Sequence, residues 1–150
     1  MKYLFLLFTL WSSVLSFGQI QETETVLFHK THESKKADAP FSDVVQAGNT
    51  YYLAGQIGMN HTTRELVSGG IEAETKQAID NIEAVLQHHN LRLDDVVKCT
   101  VILSDIKDFS AFNSVYALRF PQKPARTTFA ASGLARNAKI EIECIAVRGR

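Results

Sequence analysis

The sequence predicts an α+β domain, a two-layer sandwich in which two helices cover one face of a six-stranded mixed sheet. Three observations carry this. Residues 71 to 89 recur in apolar character at helical spacing, through Ile71, Ala78, Ile79, Ile82, Val85 and Leu86. The runs DVVKCTVILS and KIEIECIAV are β-branched and apolar, as strands of a packed sheet are. In chain order the segments read β-β-β-α-β-α-β-β, which two helices stacked on one sheet accommodate.

Each element has its own reason. Residues 19–35 are polar and mixed, and within them TVLFHK suits an edge strand. SDVVQAG and TYYLAGQIG flank Gly48-Asn49, a hairpin-turn pair. NHTTRELVSGG is rich in turn residues and reads as a loop. The 71–89 helix begins with acidic residues, which suit its positive end, and Asn90 stops it. DVVKCTVILS follows as a buried strand. In DIKDFSAFNSVYALRF, Phe109, Phe112, Asn113, Tyr116 and Phe120 share one helical face; Asp105 or Asp108 can cap this helix and Pro121 ends it. ARTTFAAS and KIEIECIAV are the last strands, joined by GLARNA. Alternation along the final strand places Ile140, Ile142, Cys144 and Ala146 toward the helices and Lys139, Glu141 and Glu143 on the other face. Val101, Ile102 and Leu103 are apolar on both sides of their strand, which predicts that the second face is buried too, by another subunit.

The 150 residues are 45% hydrophobic and 21% charged, with zero formal charge. This composition gives room for one domain and lacks the basic face of a nucleic-acid binder. Residues 1–18 stand apart. Lys2, the apolar run from Tyr3 to Leu15, and small residues Ser16 and Gly18 form the pattern of a secretory signal cleaved after Gly18. Cleavage removes one of 16 basic residues and none of 16 acidic ones, leaving a mature charge of −1. The expected organisation is a signal peptide over 1–18, a polar segment with an edge strand over 19–35, and a domain over 36–150. Export to the periplasm or exterior follows, with a retained cytoplasmic chain as the alternative, and no membrane contact after cleavage. Cys99 and Cys144 each sit in an apolar strand without a CxxC partner, so they read as buried thiols, although export would permit a disulfide. His29, His32, His61, His88 and His89 show no metal-ligand spacing.

Arg126 and Glu141 are the charges that strands of this kind do not need. One reading is a structural ion pair or two residues at the sheet rim. The other is a pocket, in which the arginine fork binds a carboxylate and the glutamate positions or deprotonates water. That combination suits hydrolysis of a small carboxylic acid.

KPARTTFAASGLARNAKIEIECIAV resembles the C-terminal signature of the RidA (YjgF) family of reactive-intermediate imine deaminases. LAGQIGMN, AETKQAIDNIEAVLQ and DDVVKCTVILSDIKDFSAFNSVY match in order and spacing, so the similarity spans about residues 36 to 148. The resemblance implies a chorismate-mutase-like fold, homotrimers with pockets between subunits, and hydrolysis of enamine or imine acids such as 2-aminoacrylate to a 2-keto acid and ammonia, with no cofactor or metal. It implies Arg126 as carboxylate anchor, Glu141 as water-positioning carboxylate, and Gly55, Asn113 and Thr128 as substrate-binding positions. Val44 and Ala54 stand where relatives carry a pocket-lining tyrosine and serine. These two losses thin the polar lining and favour a bulkier or more apolar substrate. Some relatives are named endoribonucleases, which the mature charge of −1 does not favour here. A competing reading is a secreted binding or stress protein that holds small carboxylates in the trimer cleft without turnover.

Overall fold

A computed structural model describes residues 25–31 and 33–149. The expected signal segment and His32 lie outside the described residues. The main sheet contains β1 (Val26–His29), β2 (Val44–Ala47), β3 (Thr50–Ile57), β6 (Val96–Leu103), β7 (Ala125–Ala130) and β8 (Ile140–Val147). Its order is β1-β2-β3-β8-β6-β7. All neighbours are antiparallel except β6 and β7, so the sheet is mixed. Helices α1 (Gly70–His88) and α2 (Phe109–Arg119) complete the two-layer sandwich that the periodicities predict.

The apolar stripe of α1 explains its placement. Ala78, Ile79, Ile82, Val85 and Leu86 are essentially inaccessible and pack with Ile140, Ile142, Cys144 and Ala146 of β8 in one core. The helix ends as its sequence suggests, with Asn90 in the left-handed region at φ 57. Asp105, rather than Asp108, supplies the side-chain cap before α2. It accepts a hydrogen bond from the Lys107 amide at 2.9 Å in the 3₁₀ turn Ile106–Asp108. Cys99 and Cys144 meet in the core as register partners on β6 and β8, both free thiols with sulfurs 3.2 Å apart.

One segment departs from expectation. The predicted loop after β3 contains a small hairpin of β4 (Met59–Asn60) and β5 (Glu65–Leu66). Two-residue strands leave no periodic signal. The turn is made instead by the Asn60 carboxamide, whose oxygen accepts from the Thr62 and Thr63 amides at 2.9 and 3.1 Å. Asn81 of α1 anchors this region. It is buried, and its amide donates to the carbonyls of Ile57 and Met59 at 3.1 and 3.0 Å. Asn81→Ala strands both acceptors and is expected to cost about 2 kcal/mol in urea unfolding. A loss below about 0.5 kcal/mol would show that this bracket is dispensable.

Among the described residues, nothing covers the face away from the helices. Tyr52 and Phe129 are nearly half exposed there, and Val45, Ile102 and Ile145 are only partly buried.

Candidate active site

Register decides where the two unexplained charges point. Val44, Leu53, Cys144, Cys99 and Arg126 are successive partners across β2, β3, β8, β6 and β7. Residues paired in this way share a face, and this row carries the buried core. Ile57, Glu141, Ile102 and Phe129 form a second row across β3, β8, β6 and β7. Glu141 is three residues from Cys144, so its row lies on the uncovered face. Arg126 and Glu141 therefore leave the sheet on opposite sides and form no ion pair within the chain. The structural-pair reading is ruled out for one subunit.

Arg126 sits in an aromatic seat built by α2. Its guanidinium lies 4.7 Å from the Tyr116 ring centre, 5.2 Å from Phe112 and 5.7 Å from Phe109. Its Nη1 donates to Asn113 Oδ1 at 2.9 Å. The i, i+3, i+4 and i+7 spacing of Phe109, Phe112, Asn113 and Tyr116 puts all four on the helical face that meets β7. Among the described residues no carboxylate pairs with Arg126, so most of its donors remain for a ligand in the cleft lined by Asn113, Lys123 and Pro124. Thr128 is two residues along the same face, and its partly enclosed hydroxyl finds no hydrogen-bond partner.

Glu141 lines a second cleft of about 380 Å³ together with Gly55. Gly55 belongs to a bulge: Leu53 pairs with Cys144 and Gln56 with Ile142, so β3 has one residue more than β8. The bulge brings the Gly55 backbone against the glutamate. A Cβ built on Gly55 would lie 2.9 Å from Glu141 Cδ and overlap its carboxylate oxygen. Burial first, and the charge of Glu143 second, raise the Glu141 pKa above the ordinary carboxylate value.

The raised value has a definite sign for stability. The folded chain holds the Glu141 proton more tightly than the unfolded chain. The group therefore costs stability as pH rises through the unfolded value toward the folded one, and the cost stays above it. Glu141→Gln is expected to leave melting unchanged near about pH 3 and to raise it near about pH 8. Melts shifted equally at both values would contradict this electrostatic assignment.

Two positions inferred from resemblance contribute no surface to either cleft. Val44 is 1% exposed and belongs to the core, because its partner Leu53 faces the helices. Ala54 is partly buried in the bulge, with its amide committed to the Asp43 carbonyl at 2.9 Å. Conversely, Lys35, Lys36, His61 and Arg64 line the Glu141 cleft, which sequence reasoning missed. They lie in turn-rich segments whose convergence no periodicity reports.

The family described as Endoribonuclease L-PSP matches residues 31–148. The chain belongs to this family. A 2-iminobutanoate/2-iminopropanoate deaminase of Capra hircus is 41% identical over 120 residues, which cover 79% of this chain and 88% of that protein. A RutC family protein of Pyrococcus horikoshii is 41% identical over 119 residues, covering 79% and 94%. The crystal structure of the YjgF gene product of E. coli superposes with a TM-score of 0.75 at 33% identity, covering 82% of this chain and 99% of that one. These RidA-family relationships agree with the two-layer fold and support imine deamination as the general activity.

Proposed function

We propose that the protein hydrolyses small enamine or imine acids of the 2-aminoacrylate type to 2-oxo acids and ammonia, at sites shared between subunits of a homotrimer. The observation that carries this reading is the separation of Arg126 and Glu141 onto opposite sheet faces. Each has capacity left for a ligand, and neither cleft holds both. A second copy packed on the uncovered face, with its apolar Tyr52, Ile102 and Phe129, supplies what one chain lacks.

In this reading the substrate carboxylate docks on the Arg126 fork of one subunit and on the Gly55 amide of the next. Tyr116 and Phe112 hold the guanidinium plane, and Asn113 fixes its rotation. Glu141 takes a proton from water as the oxygen bonds to the imine carbon and the C=N π pair moves to nitrogen. It returns that proton to nitrogen, giving the carbinolamine. The carbinolamine hydroxyl then gives up its proton through Glu141 to the same nitrogen as the C–N bond breaks, so the carbonyl forms and ammonia leaves. The raised pKa makes Glu141 a stronger base than an exposed carboxylate. Placement supplies most of the rate, since the imine is already electrophilic.

A second reading, binding without turnover, is favoured by Ala54 and Val44, which add no hydroxyl near Glu141. Ammonia and oxo-acid release from imines generated in situ separates the two. Release above the spontaneous rate supports the deaminase, and saturable oxo-acid binding without release supports the binder. The apolar run 3–15 followed by Ser16 and Gly18 supports export, and an N-terminus at Gln19 in protein from the native host tests it.

A further inference from the structure

The Glu141 cleft is larger than a three-carbon imino acid requires, and it carries cations beside the carboxylates Asp38 and Glu141. Pockets for ligands of drug size begin at roughly 300 Å³, and this one has about 380 Å³. Part of its lining is apolar, through Phe41, Ile57 and Met59, and part is basic, through Lys35, Lys36 and Arg64.

The basic part is built by contacts between distant segments. Glu33 Oε1 lies 2.6 Å from His61 Nδ1, and Lys35 Nζ donates to the Thr62 carbonyl at 2.7 Å. Arg136 Nη1 donates to the Arg64 carbonyl at 3.0 Å. Arg64 itself is in the left-handed region, φ 66, a conformation that costs a non-glycine residue. It is held there by its own amide donating to the Asn60 carbonyl at 2.8 Å.

Charge pairing then separates committed from uncommitted cations. Lys36 pairs with Asp43 at 2.5 Å. Glu33 Oε1 faces His61, and Oε2 is 3.9 Å from Arg64 Nη1, within ion-pair reach but beyond hydrogen-bond range. Arg64 Nη1 is enclosed and donates to no acceptor among the described residues. Among the described residues Lys35 donates only to a neutral carbonyl. Asp38 is an exposed carboxylate that also lines the cleft, and it forms no ion pair among the described residues. Lys35 and the Arg64 guanidinium thus keep hydrogen-bonding capacity in the cleft they share with Glu141, since Arg64 Nη1 donates to no acceptor among the described residues.

We infer that Arg64 and Lys35 form a second carboxylate-binding point, and that the preferred substrate is an imino acid whose side chain ends in a carboxylate, as formed from an acidic amino acid. This rests on the reading that the imine sits in the Glu141 cleft. The side-chain carboxylate takes no part in the chemistry: water still adds to C=N and ammonia still leaves. Its charge selects the substrate.

The test compares 2-oxoglutarate with 2-oxopentanoate, the same chain without the second carboxylate, by calorimetric binding to the purified trimer and to Arg64→Gln and Lys35→Gln. The wild type is expected to bind the diacid at least about tenfold more tightly, as a charge-assisted contact provides. Each variant should bring the ratio toward one, and reading a ratio cancels any general loss of affinity. Lys35 is exposed, so Lys35→Gln reports even where Arg64→Gln disturbs the turn. Equal binding of the two acids, preference for the monoacid, a ratio unmoved in both variants, or no binding of either acid overturns the proposal. The parallel measurement is ammonia release from the imines of glutamate and of 2-aminopentanoate. No release from either, with the binding ratio intact, refutes the deaminase reading and leaves the second binding point standing.

Discussion

Arg126→Ala is expected to lower kcat/KM for imine hydrolysis by about 100- to 1,000-fold, the range for truncating one member of a desolvated charged contact. Among the described residues Arg126 has no carboxylate partner, yet three aromatic rings and Asn113 hold it in one plane. A cation fixed in this way and left without a counter-charge is prepared for an external anion. Arg126→Lys keeps the charge but loses the planar fork and the stacking on Tyr116, so it should recover only a minor part of the activity. If Arg126 merely joined β7 to α2, Arg126→Ala would reduce stability as much as activity. Kinetics and thermal melting on the same preparation separate these cases, and a large fall in melting temperature with unchanged kcat/KM in the surviving folded protein would contradict the anchor role.

Gly55→Ala is expected to cost about 100-fold in kcat with little change in stability, since an ångström of misplacement near the reacting atoms has effects of that order. Gly55 does not have a positive φ, so alanine brings no backbone strain. The consequence is local: the new methyl occupies the place of the Glu141 carboxylate and displaces it. A comparable loss from Glu141→Gln, with no further loss when both changes are combined, would show that the glycine acts through the glutamate. Full activity in Gly55→Ala would mean that Glu141 need not rest where it is found.

The fold was legible because its strongest periodicities are also its core. The stripe from Ile71 to Leu86 and the alternation from Ile140 to Ala146 describe the two layers directly. The sidedness of Glu141 followed from the same alternation. The sidedness of Arg126 did not, because ARTTFA has no polar-apolar alternation and only its register with Cys99 assigns a face. Val44 shows the complementary limit. Resemblance assigned it to the pocket, whereas its pairing with Leu53 directs it into the core. Lys35, His61 and Arg64 were invisible for another reason: Glu33, far from the 59–66 hairpin in sequence, draws that hairpin and the 33–41 segment to one cleft.

In the proposed mechanism one subunit contributes Arg126 and another contributes Glu141 to each site. Mixing Arg126→Ala and Glu141→Gln subunits tests it most directly. Each variant alone is expected to be inactive. Unfolded together in equal amounts and refolded, they should regain up to about one quarter of wild-type activity, because a randomly assembled interface receives both intact residues in that proportion. Recovery of this size establishes a shared site. A mixture as inactive as its components, with trimers confirmed to contain both variants, would place the two residues in separate sites and contradict the proposed mechanism.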